Sequence, residues 1–168
     1  MTRDDADRWR CRGLRRDELD GAFSVWLAAN EARDRMRSAA WKARVREKLA
    51  DPVALAVVAV DRRSIVGMAL GEPGRRLDGD GPREPQLLHV SMVFVHPSRW
   101  GEGIGRALLE ELFAKARRLG HERATLWTGR DNERARRLYM RSGMHPTGRT
   151  KMLASHGAVI QFGVELDD

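Results

Sequence analysis

A mixed α/β fold around one sheet is predicted by three observations. The apolar patterns run in the order strand, two helices, a meander of strands, helix, strand, helix and two closing strands. Strands that alternate with helices call for parallel pairing, whereas neighbouring strands joined by turns pair antiparallel, so both kinds are expected in one sheet. The chain has 168 residues, 42% of them hydrophobic, which suits one domain with one sizeable core.

Each element has a local reason. Residues 1–8 are charged and aperiodic, a flexible N-terminus ahead of a single domain over 9–168. Residues 9–14 suit a first strand. Asp17 is a natural N-cap for a helix whose face is Leu19, Ala22, Phe23 and Trp26. Residues 30–37 are either a polar break or a continuation; a second, charge-rich helix then runs to about Ala50 and stops at Asp51-Pro52. Residues 53–60, rich in valine, read as a buried strand. Asp61-Arg62-Arg63-Ser64 is a hairpin-length connection to a partner strand over 65–70. Residues 71–85 hold four glycines and three prolines and read as a long loop.

The run 87–95 is the central strand. After it, Ile104, Ala107, Leu108, Leu112, Phe113, Ala116 and Leu119 recur three or four apart, a helix that Gly120 stops. A strand over 123–128 leads to a helix over 133–142 closed by Gly143. Residues 147–153 and 158–166 are the last two strands, joined through Ala154-Ser155-His156-Gly157.

Composition narrows the function classes. No apolar run approaches the ~20 residues of a membrane span, and the charged start lacks the apolar core of a signal peptide. A single cysteine, Cys11, excludes an internal disulfide and fits a cytoplasmic protein. The net charge is +7, and residues 99–151 hold thirteen Arg or Lys against six Asp or Glu. A basic surplus there would attract an anionic ligand; with no recognisable DNA- or RNA-binding motif, charge alone does not call for a nucleic-acid partner. The bland alternative is an arginine-biased proteome, since four of the 31 basic residues are lysine. No metal-ligand cluster is expected.

The chemistry is carried by the stretch from Val93 to Arg106. A strand end, Val93-Phe94-Val95, is followed by His96-Pro97, where pairing must stop. Gly101, Gly103 and Gly105 then alternate with Glu102 and Ile104 up to the helix start at Arg106. Glycines let backbone N–H groups approach a ligand closely, and with a helix N-terminus they make an anion site suited to a diphosphate. A second segment follows about 25 residues on, with Asn132, Ala135, Tyr139, Gly143 and Met144.

Together these two segments resemble the core of the GCN5-related N-acetyltransferase (GNAT) superfamily, over roughly residues 86–144. Its loop opens on Gln or Arg where Trp100 stands here, and its second pattern ends in Gly-Phe where Gly143-Met144 stands. The resemblance implies a largely antiparallel mixed sheet with helices on both faces and a central strand pair that splays to admit acetyl-CoA. It places the acetyl and pantetheine contacts on Val93, Phe94 and Val95, and the diphosphate contacts on Gly101, Glu102, Gly103, Ile104, Gly105 and Arg106. Asn132 would hydrogen-bond the pantetheine or phosphate arm, besides its plainer use as an N-cap. Tyr139, the one tyrosine in the chain, would protonate the leaving thiolate; the alternative is an aromatic packed on the buried face of its helix.

For the general base, the family's two glutamate positions correspond to His89 and Trp127, and Trp cannot accept a proton. His89 is the candidate, with an ordinary imidazole pKa near ~6.5; a strand histidine with satisfied hydrogen bonds is the equal alternative. Arg99, next to Trp100, would supply the charge that Trp100 lacks. Cys11 is read as a packed small residue and not as a nucleophile, which leaves direct attack by a primary amine in a ternary complex. The acceptor, a small-molecule amine or a peptide N-terminus or lysine, is not legible; Trp26, Glu31, Asp34, Trp41 and His156 lie in the segments that would line its groove. A non-catalytic acetyl-CoA sensor of the same fold is the alternative function, and a homodimer is compatible with either.

Overall fold

In the computed structural model of the chain, residues 8–35 and 37–167 are described. The flexible start expected for residues 1–8 lies, apart from Arg8, outside the described residues. The elements are β1 (Arg10–Gly13), α1 (Leu19–Glu31), α2 (Ala39–Ala50), β2 (Leu55–Asp61), β3 (Ser64–Arg75), β4 (Arg83–Val95), α3 (Ile104–Arg118), β5 (Arg123–Gly129), α4 (Glu133–Arg141), β6 (His145–Leu153) and β7 (Gly157–Glu165). The strands are hydrogen-bonded in the order β1-β2-β3-β4-β5-β7-β6, a mixed and mostly antiparallel sheet. The described residues fall into two compact units, one running to Leu70 and including Met92–Leu112, the other Gly71–Ser91 and the chain from Phe113 onward.

The first unit is built on β2, whose Val57, Val58 and Ala59 are fully buried. β1 pairs antiparallel with it, Arg10 opposite Val60 and Gly13 opposite Val57. Ala22, Phe23, Val25 and Trp26 of α1 pack with Val45 and Leu49 of α2 and with Val58, Val60, Met68, Leu70 and Met92 of the strands. Each such fully buried large side chain is worth about 1.5–3 kcal/mol. The helical face expected of α1 is therefore in the core, Trp26 with it, at 2% exposure. That removes Trp26 from the acceptor-groove candidates.

The start of α1 differs from expectation. Asp17 lies inside a short 3-10 turn, Arg16–Glu18, and Glu18 precedes the helix. The Glu18 carboxylate accepts from the backbone N–H of Arg15 at 3.0 Å and pairs with the Arg12 guanidinium at 2.6 Å. The Arg12 hydrogen bond is the main reason its carboxyl is held down to about 2. A cation from β1 makes Glu18 the better anchor, which an N-cap rule cannot anticipate. The two helices are separate: α1 ends at Glu31, and Ser38 caps α2 by accepting from the Trp41 N–H at 3.2 Å.

Gly67 of β3 positions the start of α3. A Cβ at Gly67 would come within 2.9 Å of Ile104 Cγ2 and of Leu108 Cδ1, and both side chains are buried. Gly67→Val is expected to cost about 1–3 kcal/mol through overpacking. An unchanged urea midpoint would show that the first turn of α3 can yield.

In the second unit the long loop expected over 71–85 is mostly strand. β3 continues to Arg75 and β4 already begins at Arg83. Gly71 is there for close packing: a Cβ would sit 2.7 Å from Leu88 Cδ1, and Leu88 is fully buried. Gly74 meets Leu87 in the same way. The turn itself is short, closed by the Arg76 N–H on the Pro82 carbonyl at 3.0 Å and the Gly81 N–H on the Arg76 carbonyl at 2.9 Å.

β5 runs antiparallel to β7 from Arg123 opposite Glu165 to Gly129 opposite Val159. β6 is the outer strand, and its register against β7 shifts between Pro146 and Thr150. β4 pairs parallel with β5 through Leu87–Arg123, Leu88–Ala124 and His89–Thr125, although β4 runs on to Val95 and β5 to Gly129. α3 ends at Arg118, and the expected stop residue Gly120 follows with φ +87°, the His121 N–H on the Ala116 carbonyl at 3.0 Å. Leu119, expected on its buried face, is 61% exposed, because the helix has already stopped.

Candidate active site

The first unit holds the predicted strand end and glycine loop as one continuous piece. Val93, Phe94 and Val95 are half-buried. The His96 N–H bonds the Val66 carbonyl of β3 at 2.8 Å, after which Pro97–Arg99 makes a 3-10 turn. Gly101 and Gly103 have φ of +85° and +81°, the left-handed region that other residues rarely adopt. A Cβ added at either meets nothing within 4 Å. Glycine is thus required there by the backbone, and the space beside it is open.

α3 begins at Ile104, and the Ala107 N–H bonds the Gly103 carbonyl at 3.2 Å. The N–H groups of Ile104, Gly105 and Arg106 precede that bond and have no acceptor within the helix. Ile104 and Gly105 are buried, while the Arg106 guanidinium is turned along the helix to Glu110 at 2.9 Å. From this loop, then, anion contacts are offered by backbone.

The charged side chains of the loop are tied to one another. Arg99 pairs with Asp61 at 2.6 Å and with Glu102 at 2.5 Å. The bond from Arg99 holds the Glu102 carboxyl below its ordinary range, and the bonds to Glu102 and Asp61 push the Arg99 guanidinium up. Glu102 also lies 3.5 Å from Arg8. Arg99 was expected to replace a missing charge; it is instead occupied by two carboxylates. The Trp100 indole N–H donates to the Val95 carbonyl at 2.9 Å, and the Arg33 guanidinium lies 5.6 Å over the Trp100 ring, a contact of about 0.5–1 kcal/mol when exposed.

Of the acceptor-side candidates in this unit, Glu31 and Asp34 are exposed. Trp41 is 40% exposed with Arg37 5.3 Å over its ring. Asn30, which the sequence did not mark, is buried; it donates to the Trp26 carbonyl at 2.8 Å and accepts from Arg37 at 3.1 Å. Cys11 on β1 has its thiol pushed up to about 11, chiefly by burial, then by Glu111 and Glu110.

The second unit holds the other predicted residues. Asn132 caps α4, its Oδ1 accepting from the Ala135 N–H at 3.2 Å. Tyr139 is half-buried, its ring centroid 5.8 Å from that of the fully buried Phe162. Ala135 and Leu138 are half-buried on the same helix. Gly143, φ +86°, ends α4, and Met144, in the place of the expected Phe, is fully buried. His89 is half-buried and forms the last paired rung of β4 with Thr125. Trp127 carries the Lys151 ammonium 4.3 Å over its ring. His156 is exposed, with Ser155 Oγ 2.6 Å from its Nδ1. No helix among the described residues is long and apolar enough to cross a membrane.

The chain matches the family model described as the acetyltransferase (GNAT) family over residues 15–144. A curated relative, an uncharacterized N-acetyltransferase of Archaeoglobus fulgidus, is 47% identical over 50 residues, or 30% of this chain and 34% of the relative. The match thus spans about a third of that relative. Among solved structures, a GNAT-family protein of Desulfovibrio desulfuricans aligns with a TM-score of 0.77 at 19% identity, over 95% of this chain and 99% of that one. A Salmonella typhimurium protein solved with its cofactor acetyl-CoA aligns with a TM-score of 0.75 at 21% identity, over 96% and 95% of the two chains. At these identities the likeness is one of fold.

Proposed function

Because the chain belongs to the acetyltransferase (GNAT) family, we propose that it is an N-acetyltransferase that moves an acetyl group from acetyl-CoA to a primary amine by direct attack in a ternary complex. The family match runs through both compact units, which supports reading residues 9–168 as one acetyltransferase domain. The observation that carries the proposal is the joined strand end, glycine loop and helix start from Val93 to Arg106. Two glycines with positive φ and open space beside them, followed by the first N–H groups of a helix, which have no acceptor within it, suit a diphosphate.

In this reading Gly101, Glu102, Gly103, Ile104, Gly105 and Arg106 hold the diphosphate through their backbone. Glu102 takes part despite its charge, because Arg99 neutralises the carboxylate. Val93, Phe94 and Val95 receive the pantetheine and the acetyl group, and a strand-end N–H polarises the acetyl carbonyl. Asn132, whose Oδ1 is engaged in capping, offers its amide N–H groups to the cofactor arm. His89 takes the proton of the attacking amine. As the C–N bond forms and the C–S bond breaks, the Tyr139 hydroxyl gives its proton to the sulfur. The Cys11 thiol, pushed up to about 11, stays protonated at neutral pH and is a poor nucleophile, which favours direct attack over an acetyl-enzyme. That retained thiol suits a cytoplasmic enzyme.

The test is release of free thiol from acetyl-CoA over a panel of polyamines, aminoglycosides, amino acids and N-terminal peptides. Turnover with an amine supports the enzyme; tight acetyl-CoA binding with no turnover on any of them would favour a sensor. If His89 is the base, His89→Ala lowers turnover around neutral pH and removes the imidazole limb from the pH–rate profile. Superimposable profiles of the two proteins would take His89 out of the mechanism.

A further inference from the structure

The direction of the Val95 carbonyl at the end of β4 is fixed by hydrogen bonds. The described residues contain no cis peptide, so the Val95 carbonyl points opposite to the His96 N–H. That N–H is bonded to the Val66 carbonyl of β3 at 2.8 Å. The Val95 carbonyl therefore leaves β4 on the edge facing away from β3. In an extended strand the N–H and C=O of one residue leave on the same edge, so the Val95 N–H is there too. On that edge the Trp100 indole N–H reaches back and donates to the Val95 carbonyl at 2.9 Å.

We propose that Trp100 is a positioning residue: its indole N–H pins the Val95 peptide plane so that the Val95 N–H meets the acetyl carbonyl oxygen of acetyl-CoA. This rests on the reading that Val93, Phe94 and Val95 receive the acetyl group. The chemistry of indole suits the task. Its nitrogen is a donor with no acceptor capacity, so it quiets the Val95 carbonyl lone pair beside a second carbonyl oxygen and adds none of its own. Its two side-chain torsions leave little rotamer freedom to lose. The Arg33 guanidinium lies over the ring face, at 5.6 Å. A Gln or Arg at this position has donors as well, on a longer and looser stem.

The experiment compares wild type with Trp100→Phe, which keeps a ring and deletes the donor, and Trp100→Gln, which restores one. The probes are acetyl-CoA carrying ¹³C at the acetyl carbonyl, and CoA itself. The bound carbonyl resonance is expected to move from its free position in wild type, to fall back in Trp100→Phe, and to recover in part in Trp100→Gln. CoA affinity should stay within about twofold, and kcat should drop about tenfold at nearly constant KM for acetyl-CoA, equivalent to ~1.4 kcal/mol. Equal carbonyl shifts in wild type and Trp100→Phe would overturn the proposal. So would a parallel loss of CoA affinity, which would mean that Trp100 merely holds the loop in shape. Should Trp100→Phe not fold, the wild-type indole N–H decides: slow hydrogen exchange of that proton, assigned through Trp100→Gln, supports the bond, and fast exchange refutes it. Failure of wild type to bind acetyl-CoA at all would instead strike the acetyltransferase reading itself.

Discussion

Replacing Tyr139 by Phe is expected to cut turnover by about 100- to 10,000-fold, the range of positioned acid catalysis, while acetyl-CoA affinity and melting temperature stay near those of wild type. The separation follows from where the residue sits. Tyr139 is half-buried on α4, and its ring rests against Phe162 at 5.8 Å between centroids. Phenylalanine keeps that aromatic pair, worth about 0.5–1.5 kcal/mol beyond its area. What is deleted is the hydroxyl, the group that would protonate the departing sulfur. Steady-state turnover, calorimetric titration and thermal melting check the three parts. Wild-type turnover in the variant would make Tyr139 a packing residue and require another proton donor.

The second large effect is expected at Gly103. Gly103→Val should weaken acetyl-CoA binding by about 100-fold or more, ~2.7 kcal/mol, with the fold retained. Two causes add. The backbone there has φ +81°, where a β-branched residue carries about 1–3 kcal/mol of strain. The space beside it is empty to 4 Å, so the valine methyls would project into the room left for a ligand. Gly79 gives the control. It has φ +106° and equally open surroundings, and it lies in the turn between β3 and β4. Gly79→Val should therefore share the strain and keep the affinity. Equal losses in both variants would move the diphosphate away from the loop.

The order of elements was legible because each depends on local pattern: valine runs for β2, three- and four-residue spacing for α3, Gly120 and Gly143 as helix stops. The misreadings came where a partner distant in sequence decides. Gly71 and Gly74 look like turn residues until Leu88 and Leu87 are seen filling the place of their side chains. Asp17 fits an N-cap better than Glu18 until Arg12 is placed beside Glu18. The site shows the same division. Glycines at positive φ and the Asn132 cap are backbone devices with a local signature. The Trp100 bond to Val95 and the Arg99 pairing with Asp61 are not, since nothing in residues 99–102 points to a carboxylate at the start of the β2–β3 turn. Trp26 and Asn30 carry the matching lesson: an aromatic expected at a groove and a polar residue left unmarked are both buried.

That pairing bears on how the loop can be transplanted. Arg99 reaches across 38 positions of sequence to Asp61 while also holding Glu102. A graft that carried only the segment from Val95 to Arg106 into another scaffold would bring the arginine and one of its carboxylates, and leave the other behind. The glycine loop is therefore not a self-contained cassette: its inheritable unit includes the last residue of β2, and recombination points placed between the two would separate parts that work as one.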